Sequence, residues 1–161
     1  MKIAVVVATY NRPDALAALL EGYLANGGGL IVLEEPRYLT KFGDAPDPLA
    51  DLLSKWAISF QNDLVIDPGA TPRLYVYADT QNYGQHPISE KLSGINSRFF
   101  TAQSIKVGTP AQEIELTPLA QTYPDAWGEM DFASVKKDQV SYDQNTDITG
   151  PLLLGIAAEN Y

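Results

Sequence analysis

Apolar and polar positions divide the first third of the chain into a strand, a helix and a second strand. Residues 3–8 form an unbroken, β-branched apolar run, the pattern of a strand buried on both faces of a parallel sheet. Between positions 16 and 24, leucines and a tyrosine recur every three or four residues, which predicts an amphipathic helix. Glycines at 27–29 end it, and the apolar run at 30–33 predicts a second strand. This order predicts a βαβ unit.

Hydrophobic patterning also predicts elements in the rest of the chain, with strands dominating its second half. A leucine stripe within residues 49–56 predicts a second helix, and residues 89–92 suit a short helical turn. The polar stretch 136–150 suits a loop. No linker or internal repeat is visible, so we expect one α/β domain over residues 1–161. The predicted strands of this part are 64–66, 74–77, 99–107, 113–123 and 151–158.

The charge distribution argues against nucleic acid as a partner. The chain has 161 residues and a net charge of −9, and its basic residues are scattered, whereas phosphate binding needs clustered lysine and arginine. An anionic membrane surface is disfavoured for the same reason. The longest apolar runs, 3–8 and 151–158, are too short to span a bilayer. We therefore expect no direct membrane insertion by this chain.

Cysteine is absent from the sequence, which excludes disulfides, thiolate zinc sites and a cysteine nucleophile. A single histidine is present, so a zinc site would depend on carboxylates for its remaining ligands. Acidic residues within 138–147 lack the glycine and terminal glutamate of a calcium-binding loop. The sequence predicts no metal and no cofactor.

The turn between the first predicted strand and helix holds one group of candidate site residues: Thr9, Tyr10, Asn11 and Arg12. The carboxyl end of a strand and the amino end of a helix often border a ligand crevice in an open α/β sheet. This turn lacks the glycines that let a backbone approach phosphate. Helix capping is the alternative interpretation.

Glu35 and His86 are the other candidate residues. Glu35 and its neighbour Glu34 could bind a cation or act as acid and base, although neighbouring strand residues point to opposite faces and a solvated strand end is the alternative. His86 could act as a base with Asp79, but no nucleophile elbow is present, and packing within its loop is the alternative. Without a complete catalytic constellation, the sequence predicts a binding protein and not an enzyme.

The opening segment 5–16 resembles the start of family 2 glycosyltransferases. That resemblance implies a nucleotide-sugar-binding domain, which needs an Asp-x-Asp motif downstream that this chain lacks. A third hypothesis is a carbohydrate- or peptide-binding module that uses exposed aromatic rings such as Trp127 and Tyr123.

A longer resemblance runs from about residue 23 to the end of the chain. Its motifs are similar, in order and spacing, to the extracytoplasmic domain of gliding-motility-type auxiliary components of ABC transporters. The segments that carry it are 23–33 with Pro36, 49–56, 62–68, 86–88, 115–119, 124–129 and 150–159.

This second resemblance implies a flavodoxin-like or glutamine-amidotransferase-like three-layer domain, with a βαβ start and a β-rich C-terminal part. It also implies a soluble fragment of a larger membrane-anchored protein, held on the extracytoplasmic (periplasmic or cell-surface) face of the membrane. The implied partners are the membrane subunits of an ABC transporter or a partner auxiliary protein. The amidotransferase-like fold would need a cysteine nucleophile that is absent here, so no catalytic residue is carried over.

Overall fold

The computed structural model describes residues 13–39, 47, 49–70 and 76–161. These ranges contain three α-helices, two short 3-10 turns and ten strands. The helices are α1 (Pro13–Ala25), α2 (Ala50–Lys55) and α3 (Phe132–Lys136), and the 3-10 turns are Arg37–Leu39 and Glu90–Leu92. The strands are β1 (Ile58–Phe60), β2 (Leu64–Ile66), β3 (Tyr77–Thr80), β4 (Asn82–Tyr83), β5 (Ser97–Phe100), β6 (Ile105–Val107), β7 (Ile114–Gln121), β8 (Trp127–Glu129), β9 (Ile148–Thr149) and β10 (Leu153–Asn160).

The strands form three antiparallel sheets. The largest has the order β1-β6-β10-β7-β4, and the smaller ones are β2-β8-β9 and β3-β5. Strands β7 and β10 make the longest pairing, with irregular register near Gly155. Strand β4 pairs with the edge of β7. The connection from β4 to β5 therefore starts at the edge of the five-stranded sheet.

The core is built around β2, a strand whose three residues are all buried. Leu64 and Ile66 pack with Trp127 on one face, while Val65 packs with Leu152 on the other. Side chains of a strand alternate between faces, so three consecutive apolar residues supply both clusters. The sequence pattern of β2 therefore explains why it lies between two packed layers.

Both helices predicted from apolar periodicity are confirmed. Helix α1 ends where Gly27 adopts a positive φ of 78°, which lets its N–H donate to Leu24 O at 2.9 Å and the Gly28 N–H to Tyr23 O at 3.0 Å. Helix α2 buries Leu52 against the core. The strands β2, β7 and β10 and the helical turn near residue 90 also lie where the sequence predicts them.

The predicted strand at 30–33 is wrong. Residues 31–36 form no strand, and the side chains of Ile31 and Leu33 are 85% and 90% exposed. A strand needs a hydrogen-bonded neighbour, and the predicted neighbour at 3–8 lies outside the described residues. The described part of the chain therefore holds no βαβ unit, and all its strand pairs are antiparallel.

Other differences arise where the chain changes sheets. The single strand expected at 99–107 is two strands, β5 and β6, separated at Thr101, whose φ is 48°. The strand expected at 74–77 begins at Tyr77 and continues to Thr80, and its first two positions lie outside the described residues. Sequence patterning missed β1, β4, β8, β9 and α3. The prediction of mixed helices and strands with a β-rich second half is confirmed for the described residues.

Candidate functional site

A cleft of about 540 Å³ opens beside the connection from β4 to β5. This connection, residues 84–96, is named here the cleft loop. Its surface is mostly exposed, and Ile88 and Ile95 are 66% and 50% exposed. The polar side chains that line the cleft are Gln81, Gln85, His86, Ser89, Glu90 and Ser93.

His86 ties the cleft loop to strand β10. Its Nδ1 accepts a hydrogen bond from the Ile88 N–H at 3.1 Å, so the ring proton lies on Nε2. Nε2 faces Glu159 Oε2 at 3.5 Å. Both ring nitrogens are thus engaged, and the imidazole holds the loop in place.

Gly84 fastens the same loop to the sheet below it, and Ser89 braces the loop from within. The Ser89 hydroxyl is buried and donates to Gly84 O at 2.7 Å, while the Gly84 N–H donates to Leu119 O at 3.2 Å. A Cβ added at Gly84 would overlap Pro118 O. A glycine is therefore required where the loop backbone crosses β7.

Serine, histidine and glutamate thus occur together at this cleft, but they are not connected as a catalytic triad. A nucleophilic serine must donate its proton to the histidine, whereas Ser89 Oγ bonds the carbonyls of Gly84 and His86. The side chain of His86 is directed to Glu159 and to the loop backbone. The arrangement holds a surface in a fixed shape.

Of the residues proposed from the sequence, His86 lines the cleft, and Glu35 is an exposed residue that does not. Thr9, Tyr10, Asn11 and Arg12 lie outside the described residues. The structure therefore brings His86 and Glu35 into no common site. Ser89 and Gly84, which shape the cleft, carry no sequence signal beyond their place beside the lone histidine.

Asp63 is a fully buried carboxylate that sequence patterning did not identify. Its oxygens accept hydrogen bonds from the backbone N–H and hydroxyl of Ser104 at 2.8 and 2.7 Å. Burial raises the pKa of Asp63, and the hydrogen bonds from Ser104 oppose that rise. The Asp63 carboxylate therefore joins the loop between β1 and β2 to the residue that precedes β6.

Glu129 is a second buried carboxylate, at the end of β8. It accepts hydrogen bonds from Trp127 Nε1 at 3.3 Å and from the Asp131 N–H at 2.9 Å. Burial is the largest cause that raises the pKa of Glu129, and the nearby carboxyl of Asp147 adds to the rise. Asp147 itself accepts from the Met130 N–H at 3.1 Å, which fastens the loop that precedes β9.

Trp127 does not offer a stacking surface. It is 8% exposed and packs in the core, with Tyr142 against its edge at a centroid distance of 6.1 Å. Tyr123 is 41% exposed. Of the two rings named for carbohydrate or peptide binding, Trp127 is therefore too buried to contact a ligand.

Two features are absent from the described ranges. No helix there has the length and apolarity needed to cross a membrane. No group of three or more histidine, aspartate or glutamate side chains there could hold a metal ion.

Comparison with protein families identifies the relationship. The model of a family described as an ABC-type uncharacterized transport system matches residues 2–160. The chain belongs to this family. The similarity to ABC transporter auxiliary components is confirmed, and with it an auxiliary role in an ABC-type transport system. Gliding motility stays a prediction. Searches of curated proteins and of solved structures give no significant match.

Proposed function

We propose that this chain is a non-catalytic binding and scaffolding domain of the auxiliary protein, and that the cleft loop contacts another component of the transport system. The observation that carries the proposal is a fixed loop with exposed apolar tips. Ile88 and Ile95 are exposed on a loop that Ser89 braces internally and that Gly84 and His86 hold to the sheet. A rigid apolar surface loses little conformational entropy on binding, which favours protein contacts.

The hydrogen bonding of the polar groups supports a non-catalytic role. Ser89 and His86 form hydrogen bonds with the backbone of the cleft loop. Asp63 accepts hydrogen bonds from Ser104 and so joins two loops. Glu129 is occupied by backbone and indole donors. In each case a group with catalytic potential has a structural partner in the fold.

The remaining proposals concern the parent protein. Residues 1–161 form one domain, a soluble fragment of a larger membrane-anchored protein, and this domain lies on the extracytoplasmic face. Its partners are membrane subunits of the transporter or a partner auxiliary protein, and in some cells the system serves gliding motility. The likeness in motif order over residues 23–161 supports these proposals. A flavodoxin-like or glutamine-amidotransferase-like three-layer core stays a prediction, since all strand pairs of the described residues are antiparallel.

Location can be tested directly because the chain has no native thiol. Ser93 lies exposed in the cleft loop, so a Ser93→Cys variant of the membrane-anchored protein offers one reactive group there. We expect a membrane-impermeant maleimide to label it in cells with a permeable outer layer and an intact cytoplasmic membrane. Labelling only after lysis would contradict an extracytoplasmic location.

Binding can be tested by co-purification of the tagged full-length protein with the other subunits of its transport system. We expect those subunits to be retained by the native protein and lost when Ile88 and Ile95 are both replaced by serine. Val107→Ser is the matched control, since Val107 is also exposed but lies on β6. Absence of transport subunits from the native preparation would refute the proposed role. Equal retention of the subunits by the double variant would show that the cleft loop does not contribute to binding.

A further inference from the structure

The outer face of the small β3-β5 sheet carries a row of four side chains. Residues pair directly across it, Tyr77 with Phe100 and Asp79 with Arg98. Because faces alternate along a strand, these four point away from Ala78, which is buried in the core on the inner face. The outer face, named here the aromatic-arginine face, therefore consists of Tyr77, Asp79, Arg98 and Phe100.

Contacts within the aromatic-arginine face fix its shape. Arg98 donates from Nε and Nη2 to the two carboxylate oxygens of Asp79, each at 2.7 Å. Its guanidinium carbon lies 4.7 Å from the ring centroid of Tyr77, and the Tyr77 ring lies 5.4 Å from that of Phe100. The hydrogen bonds from Arg98 also hold the pKa of Asp79 below its usual value, so the ion pair persists at neutral pH.

This face has the composition of a protein-binding hot spot. Phe100 is 64% exposed, although a phenylalanine gains free energy when it is buried. Tyrosine and arginine are enriched among the residues that dominate protein interfaces. Their side chains are already ordered by mutual contacts, so binding would cost little additional entropy. A protein partner that covers this face would bury the exposed ring of Phe100.

Charge identifies the chemistry of that partner. Residues 76–101, which include both strands and the cleft loop, contain two acidic residues, Asp79 and Glu90, and two basic ones, Lys91 and Arg98. These cancel, so the net charge of −9 comes from the rest of the chain. An apolar, neutral patch on an acidic protein attracts a partner with an apolar centre and a basic rim. A second copy of this chain would be repelled.

We infer that the aromatic-arginine face docks a protein of the same transport system whose contact surface is apolar at its centre and basic around it. This inference rests on the proposed binding role and adds to it the location of a second contact and the charge of the partner. The apolar centre covers Phe100 and Tyr77. The basic rim is attracted by the net negative charge that the chain carries outside residues 76–101.

The test uses the tagged full-length protein and the co-expressed subunits of its transport system. Phe100→Ser is expected to lower their recovery about tenfold, the range of a hot-spot residue. Val107→Ser, an exposed valine on β6, is the control and is expected to leave recovery unchanged. Unchanged melting temperatures confirm that both variants fold. Should Phe100→Ser fail to fold, Phe100→Cys replaces it, and bound subunits are expected to slow its labelling by maleimide.

A salt titration separates the chemical alternatives. Raising the ionic strength from about 0.05 to about 0.5 M is expected to lower the association rate about tenfold, because a basic rim is attracted across solvent. Loss of all subunits from the native protein overturns the binding role and this inference together. Full recovery with Phe100→Ser, or an association rate insensitive to salt, overturns this inference alone. This inference is also overturned if the protein self-associates, or binds anionic vesicles, in a way that Phe100→Ser abolishes.

Discussion

Ser104 donates two hydrogen bonds to Asp63, from its backbone N to Oδ1 at 2.8 Å and from its hydroxyl to Oδ2 at 2.7 Å. Both residues are fully buried. Gln61 Nε2 donates in turn to Ser104 Oγ at 2.8 Å, and Gly128 leaves the space that the Asp63 carboxylate fills. Asp63 lies between β1 and β2, and Ser104 directly precedes β6. The contact thus joins the five-stranded sheet to the three-stranded one.

Removing the Ser104 hydroxyl is therefore expected to destabilise the protein. Ser104→Ala leaves Asp63 Oδ2 and Gln61 Nε2 without their partner, and a buried polar group left unsatisfied costs about 1–3 kcal/mol. The free energy of unfolding, from urea denaturation, measures the effect. Ser59→Ala is the matched control because Ser59 is exposed, and a change within about 0.5 kcal/mol is expected there. Similar effects at both serines would contradict the structural role of the contact.

Glu129 is expected to make stability fall as pH rises. Burial raises its pKa in the folded protein, so the fold favours the protonated form. The resulting stabilisation is complete below the pKa of the unfolded chain, about 4.3 for glutamate, and is lost as pH rises through the higher folded pKa. Glu129→Gln cannot titrate and should show a smaller slope in that window. Asp63, whose pKa is also raised, contributes to the slope that remains.

Urea unfolding across this pH window measures the slope for the native protein, Glu129→Gln and Glu113→Gln. Glu113 is exposed, so its variant is expected to follow the native protein. An unchanged slope in Glu129→Gln would show that titration of this carboxyl does not contribute to the pH dependence of stability.

The same substitution, glycine to alanine, is expected to act with opposite sign at two positions. An alanine Cβ at Gly84 would overlap Pro118 O, a backbone atom of β7, so overpacking should cost about 1–3 kcal/mol. Gly22 lies within α1 with nothing near its added Cβ, and alanine there should stabilise by about 0.5–1 kcal/mol. Melting temperatures of the two variants give the signs. A stabilised Gly84→Ala would be incompatible with the described crossing of loop and strand.

His86 is expected to control the mobility of the cleft loop. His86→Leu removes the acceptor for the Ile88 N–H, and a hydrogen bond worth about 1 kcal/mol slows amide exchange by roughly fivefold to tenfold. His86→Asn offers an oxygen near the place of Nδ1 and should restore part of the protection. Hydrogen exchange at the Ile88 amide measures both. Equal exchange rates in all three proteins would count against His86 as the tether.

Much of the fold followed from apolar patterning, and the exceptions have physical causes. The helices α1 and α2 and the strand β7 have periodic apolar positions, and β10 lies in a continuous apolar run. Strand 30–33 was wrong because an apolar run does not by itself provide the neighbour that a strand needs. Strand β8 was missed because Glu129 is charged in sequence, and its burial depends on partners brought together by the tertiary fold.

The candidate site was predictable only in part. His86 could be selected because it is the sole histidine, but its contact with Glu159 joins residues more than seventy positions apart. Gly84 is required by a backbone contact with β7, which no local pattern reveals. The four side chains of the aromatic-arginine face meet only through the register of β3 with β5. Such sites depend on pairing between distant segments, and single-sequence patterns do not contain it.

Site-directed cross-linking tests the binding claim most directly. The chain contributes no thiol, so Ile88→Cys provides one attachment point in this domain for a maleimide-linked photo-cross-linker. Ser59→Cys provides an exposed control on β1, at the edge of the five-stranded sheet opposite to β4. In cells that express the full-length protein and its transport system, we predict cross-links from position 88 to a transport subunit and none from position 59. Cross-links of equal yield from both positions, or none from position 88, would contradict the account.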